Sequence, residues 1–186
     1  MLKKGWVVLF AGLVLSCSQD NAQPMDNPTQ INKYYPLKDF VEKQVELLDG
    51  STVRKLLMIK GKEEETTFAM DAEGWRKELD IFIHADINKA SLATAYETEE
   101  GEGVIIHRLK PGEKAAIQEI KVERDGEQVR LIAFKAFQDD FFYTTSSEGK
   151  LEIGSSGTVR RYEVSGSQKV WFLSPNKMSI RGEILK

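Results

Sequence analysis

Cysteine is almost missing from this chain: Cys17 is the only one among 186 residues. A lone cysteine closes no internal disulfide, so any stable fold must rest on its apolar core. Histidine is nearly as scarce, with His84 and His107 far apart in sequence. A closed or catalytic zinc site needs three or four converging ligands. The best local grouping, Asp80 and His84 one helical turn apart with Asp86 and Asn88 following, has no second histidine or cysteine beside it. No metal and no cofactor are therefore expected, and His84 is read as a residue near the C-terminal end of a helix dipole. No spaced Asp/Asn/Gly loop of the EF-hand kind is present, and Gly101 with Gly103 lacks the third glycine of a dinucleotide loop.

A basic excess is missing too. Lys and Arg number 26 against 29 Asp and Glu, a formal charge of −3, and the two signs are interspersed. Nucleic acid is therefore not an expected partner, since phosphate binding requires a basic face that releases counterions. Long hydrophobic runs are also lacking. The longest uncharged apolar stretch, Gly5 to Leu15, falls short of the ~20 residues that cross a bilayer. Nucleophile motifs fare no better. No Gly-x-Ser-x-Gly elbow occurs, and Ser147 to Lys150 fits Ser-x-x-Lys only formally, in a glycine-containing stretch that reads as a turn.

What is there begins at the amino terminus. Lys3 and Lys4 precede the apolar run, and polar Ser18 to Asn21 follow it, the layout of a secretory leader. Within that layout Val14-Leu15-Ser16-Cys17 resembles the lipobox of bacterial lipoproteins. The resemblance covers the leader only, with Ser16 and Cys17 as its matching residues. It implies cleavage between Ser16 and Cys17, acylation of Cys17 with fatty acid such as palmitate, and a membrane anchor through that lipid. Ser18 after the cysteine implies, by the same resemblance, an outer-membrane destination in the cell envelope. Loss of Lys3 and Lys4 with the leader would take the charge from −3 to −5.

Residues 17–33 are rich in Asn, Gln, Asp and Pro and read as a flexible tether. Residues 34–186 are expected to form one domain. Leu37, Phe40, Val41, Val45 and Leu48 recur at helical spacing, with Pro36 suited to a first turn and Gly50 to the position past the end. A second helix is predicted over Asp71 to Asp86, capped by Asp71 and burying Trp75, Leu79, Phe82, Ile83 and Ile87. Thr52 to Ile59 and Thr66 to Met70 read as a hairpin between the helices, and Glu97 to Gly103 as a flexible acidic turn. From Val104 onward the period shifts toward two, with turn signals at Pro111-Gly112, Asp125-Gly126, Ser146 to Gly149, Gly154 to Gly157, Gly166 and Pro175-Asn176. The fold class this predicts is α+β, two N-terminal helices packed on a mainly antiparallel, curved sheet.

Aromatics carry the one lean toward function. Phe141-Phe142-Tyr143 and Val170-Trp171-Phe172-Leu173 place apolar side chains on both faces of predicted strands. One face packs under the helices; the other needs a cover. Phe141, Tyr143 and Trp171 are accordingly the candidate ligand-binding residues. The expected function is a binding module for an apolar ligand or another envelope component, with an envelope hydrolase and an assembly partner as the rival classes.

Overall fold

The computed structural model describes residues 29–185. The leader, the Ser16/Cys17 cleavage site, Cys17 and the tether as far as residue 28 lie outside the described residues. Of the remaining tether, Gln30 bridges Lys89, and Asn88 accepts the Lys33 N–H at its side-chain oxygen.

Helix α1 (Leu37–Leu47) buries the stripe the spacing predicts: Leu37, Val41, Val45 and Leu48 are inside and Phe40 is half-buried. One of its free N-terminal amides is served from elsewhere in the chain. Asp86 Oδ2 accepts the Lys38 N–H at 2.8 Å, placing a carboxylate where the helix dipole favours negative charge. The second predicted helix is interrupted at Leu79, giving α2 (Ala72–Glu78) and α3 (Asp80–His84). Asp71 caps α2 by accepting the Gly74 N–H. The interruption lets the two pieces seat on different parts of the sheet, Trp75 edge-on to Tyr162 and Phe82 edge-on to Phe134.

Nine strands, β1 (Thr52–Ile59), β2 (Lys62–Ala69), β3 (Tyr96–Gly101), β4 (Val104–Leu109), β5 (Ile117–Asp125), β6 (Gln128–Asp139), β7 (Tyr143–Ile153), β8 (Val159–Val170) and β9 (Asn176–Leu185), make one sheet. Its order is β2-β1-β9-β8-β7-β6-β5-β4-β3, with every neighbouring pair antiparallel. The run from β3 to β9 is a hairpin meander, and β1 closes the chain on itself by pairing with β9. Helix-rich and sheet-rich parts are segregated, which is the α+β class.

Several turn expectations give way to longer strands. Ser146 to Gly149 lies inside β7 and Gly166 inside β8, so four short predicted strands are two long ones. Gly149 is there for packing: a Cβ at that position would enter the rings of Phe134 and Phe82. Gly182 plays the same part beneath the ring of Tyr162. The expected acidic turn at Glu97 to Gly103 is largely the edge strand β3, whose exposed glutamates discourage pairing with another chain. The first hairpin is tighter than predicted, since β2 starts at Lys62 and the two-residue turn Lys60-Gly61 has positive φ at both positions, 51° and 77°.

Across the sheet, directly paired residues share a face. The row Ile120, Phe134, Gly149 and Val164 is buried. The next rows, Ala136, Ser147, Gly166 and Met178, then Gln138, Thr145, Gln168 and Asn176, are half-buried or exposed. The core therefore occupies one end of the long strands and leaves the other end bare. The bare end carries the β1–β2, β4–β5, β6–β7 and β8–β9 turns.

Candidate functional site

The polar residues around the second predicted helix do structural work. Asn88 Oδ1 accepts the backbone N–H of Lys33 and Tyr34, and its amide donates to the carbonyls of Tyr34 and Tyr35. Asp86, besides serving α1, accepts the Asn88 N–H at 2.6 Å. His84 is exposed, its Nδ1 3.1 Å from Asp80 Oδ2 on the same helix. Among the described residues no three His, Cys, Asp or Glu side chains converge as metal ligands.

His107 sits in β4, buried. Its Nε2 accepts the Tyr35 N–H at 3.1 Å, so the ring proton belongs on Nδ1, which faces Thr98 Oγ1 at 2.8 Å. Burial holds its pKa below the usual histidine value. Tyr34 packs edge-on to both His107 and Tyr96. Burial pushes the Tyr96 hydroxyl up to about 12, and that hydroxyl donates to the Ile117 carbonyl. A second buried group lies under α2, where the Tyr162 hydroxyl donates to Glu78 Oε1 and Lys55 Nζ pairs with Glu78 Oε2, both at 2.7 Å. These contacts fasten helices to sheet. The formal Ser147/Lys150 pair is split across the two faces of β7, and Lys150 pairs with Glu152.

The three aromatic candidates do come together. Tyr143 opens β7 opposite Val170, the last residue of β8, and the Trp171 N–H donates to the Phe142 carbonyl at 3.1 Å. Phe141 follows on the same turn, its ring 4.9 Å from that of Phe142 at 85°. Phe141, Phe142, Trp171 and Phe172 fall in the β6–β7 and β8–β9 turns, where the sequence pattern predicts strand. They stand in solvent: Phe141 is 84% exposed, Phe142 66%, Trp171 75% and Phe172 81%. The β1–β2 turn lies beside them, joined by Ile59 opposite Met178 and by the Lys60 N–H to the Lys177 carbonyl. Of the twelve exposed large apolar residues among those described, nine belong to this end: Ile59, Phe137, Phe141, Phe142, Tyr143, Trp171, Phe172, Leu173 and Met178. Chance scatter of surface apolar residues is ordinary; their concentration is not.

Charge is distributed unequally over the same surfaces. The face away from the helices is a lattice of paired ions. Arg54, Glu183, Arg161 and Glu152 form one row across β1, β9, β8 and β7, with Arg181 and Glu163 beside it. Arg108, Glu119 and Lys135 continue it on β4 to β6. At the bare end Lys60, Lys62, Lys169 and Lys177 have no carboxylate partner among the described residues, whereas Lys121, Lys135 and Lys150 do. Asp139 there accepts from Thr144 and Asp140 from Gln138, while Glu63 and Glu64 line the same depression as Lys60 and Lys62 without forming an ion pair among the described residues. An open groove of about 690 Å³ runs beside the tips, lined by Met58, Ser146, Ser165, Ser167, Met178 and Ser179 among others.

The sequence pattern selects Phe141, Tyr143 and Trp171 as candidates, with Phe142 and Phe172 in the same aromatic runs, and does not select Ile59, Phe137, Met178 or the four lysines. The available signal was the placement of aromatic runs directly against turn residues, Asp139-Asp140 before Phe141 and Ser174-Pro175 after Leu173. No helix among the described residues is long and apolar enough to cross a membrane. No family model, no curated protein and no solved structure matches the chain.

Proposed function

We propose that this protein is a lipid-anchored component of a bacterial cell envelope, held at the outer membrane through Cys17, that acts by binding through the aromatic end of its sheet. Residues 1–16 are its leader and 17–33 its link to the anchor, the last five of which already pack on the fold, and 34–186 are the rest of its single folded unit, with the sheet curved about the helices. The observation that carries the reading is the gathering of Phe141, Phe142, Trp171 and Phe172 on adjoining turns, fully formed and uncovered. Solvent exposure of that much aromatic surface has no stabilising role in the folded chain, and such patches mark interaction sites. The ordered polar contacts elsewhere are spent on holding the helices, which favours binding over catalysis.

The test combines anchor and end in living cells. Labelled fatty acid is expected in the native protein and not in Cys17→Ala. A photo-crosslinking side chain at Phe172 is expected to capture lipid or protein, while the same group at Glu152, on the ion-paired face, captures much less. Equal capture from both positions would remove the aromatic end as the binding end.

A further inference from the structure

We infer that the hairpin tips are a membrane-docking surface, seating Phe141, Phe142, Trp171 and Phe172 at the headgroup boundary of a bilayer that contains anionic lipid. This rests on the reading of the aromatic end as the binding end, and it names the occupant. Three independent observations select a bilayer over a protein or a small ligand.

The first is shape. The aromatic side chains project from turns as separate points; the depression among Asp139 to Thr144, Lys169 and Trp171 holds only about 280 Å³, and the larger groove beside them, about 690 Å³, is lined mostly by serine, glycine and lysine and by none of the four rings. Drug-sized ligands are buried in concave sites, and protein hot spots pack into pockets. A bilayer interface, by contrast, receives projecting Trp and Phe directly, and tryptophan is enriched there because its ring is apolar and its N–H polar.

The second is charge. Lys60, Lys62, Lys169 and Lys177 flank the tips and form no ion pair among the described residues, with Glu63 and Glu64 set back along β2 from Lys60 and Lys62, on a chain whose formal charge is negative and whose open face is ion-paired. Lysines placed beside apolar tips attract anionic headgroups while their stems lie along the apolar boundary.

The third is where the chain leads. Gln30 pairs with Lys89, and the Ala90 N–H donates to the Thr29 carbonyl, in the connection that runs into Tyr96, the first residue of β3. Tyr96 lies at the same end of the sheet as the tips. Strand β3 is three places from β6 and five from β8 in the sheet, about 15 and 24 Å at ordinary strand spacing. The twelve steps from Cys17 to Thr29 span at most about 40 Å. A lipid on Cys17 and the aromatic tips can therefore engage one bilayer together. The anchor makes docking intramolecular, so a few partly inserted rings suffice where they would not hold a free protein.

Trp171 reports the event itself. Of the three tryptophans, Trp6 is in the leader and Trp75 is fully buried. The full chain, purified from membranes, is reconstituted into vesicles of phosphatidylethanolamine and phosphatidylglycerol carrying brominated acyl chains. The signal of Trp171 is the difference between the native protein and Trp171→Phe. Docking predicts a blue shift and loss of most of that signal to the bromolipid, with protection from aqueous acrylamide. Replacing any one of the four lysines by Gln weakens docking about fivefold at low salt, and high salt removes the difference. Protein that floats with vesicles while Trp171 stays open to acrylamide and untouched by bromolipid overturns the inference. If Phe172 then crosslinks a discrete protein in cells, the aromatic end remains the binding end with a different occupant; if it crosslinks nothing, both readings fall.

Discussion

The two ends of the long strands are built from similar residues to opposite effect. At the covered end, Phe82, Phe134, Trp75 and Tyr162 interlock edge to face, with Gly149 and Gly182 cleared beneath the rings. Polar groups under the helices are mostly paired, with Trp75 Nε1 the exception among the described residues: Gln44 accepts the Val159 N–H and donates to the Gly157 carbonyl, and Asn88 and His107 hold the chain entering α1. At the bare end, Phe141, Phe142, Trp171 and Phe172 make few such contacts and meet water. Aromatic content alone therefore does not define a core. What separates the ends is whether a helix arrives to cover the row, and α1, α2 and α3 all pack over one end only.

The sharpest way to break the comparison is to delete one ring from each end. Phe82→Ala leaves a cavity between Phe134 and Gly149 in a fully buried layer and should cost about 3 to 5 kcal/mol of unfolding free energy. Urea unfolding measures it. A cost under about 1 kcal/mol would mean that the covered end collapses around the loss and is no better packed than the bare one.

A smaller effect comes from protons. The folded state keeps His107 neutral, because burial lowers its pKa and Tyr35 N–H points at Nε2; Glu100 opposes the shift weakly. The unfolded chain binds a proton near the ordinary value of about 6.5. The contribution is thus fully present above about pH 6.5 and is lost as pH falls through the lowered folded value, at up to ~1.4 kcal/mol per unit. Glu119, Glu152 and Glu183, whose pKa values are lowered, lose their contributions only at more acid pH. For Glu119 the lowering by Arg108 and Lys135 prevails over a desolvation that raises it. His107→Gln keeps an acceptor for Tyr35 and a donor for Thr98 without titrating. Unfolding midpoints measured from about pH 7 to 5 should fall in the native protein and stay nearly level in the variant. Parallel curves would place the sensitivity outside the contact between β4 and the entering chain.

Periodicity made both helical stripes and the antiparallel sheet legible, because helix faces and hairpin turns leave local signals. The Leu79 interruption was not legible, since it depends on which strand each ring meets. Nor were the long strands β7 and β8. Glycine and serine suggest turns locally, while Gly149 is required by a Phe134 ring on the neighbouring strand. The candidate site was half legible: Phe141, Tyr143 and Trp171 stand out as apolar on both faces of a strand, yet the lysine group is assembled around two turns distant in sequence. Reading aromatic runs as strand rather than turn follows from counting residues without knowing where the helices stop.

The smallest expected effect is the most informative about the bare end. Phe172→Ser alters a side chain that is 81% exposed, so its apolar area meets water in both the folded and the unfolded chain. The substitution should change unfolding free energy by less than about 0.5 kcal/mol, with the urea dependence unaltered. The same variant should lose bromolipid contact at Trp171 in the vesicle experiment, because the neighbouring ring no longer seats. Stability and docking would then be separable at one residue, as a surface kept for a partner requires. A cost above about 1 kcal/mol would instead show that the β8–β9 turn packs on the fold, and the contrast between the two ends would shrink to a difference of degree.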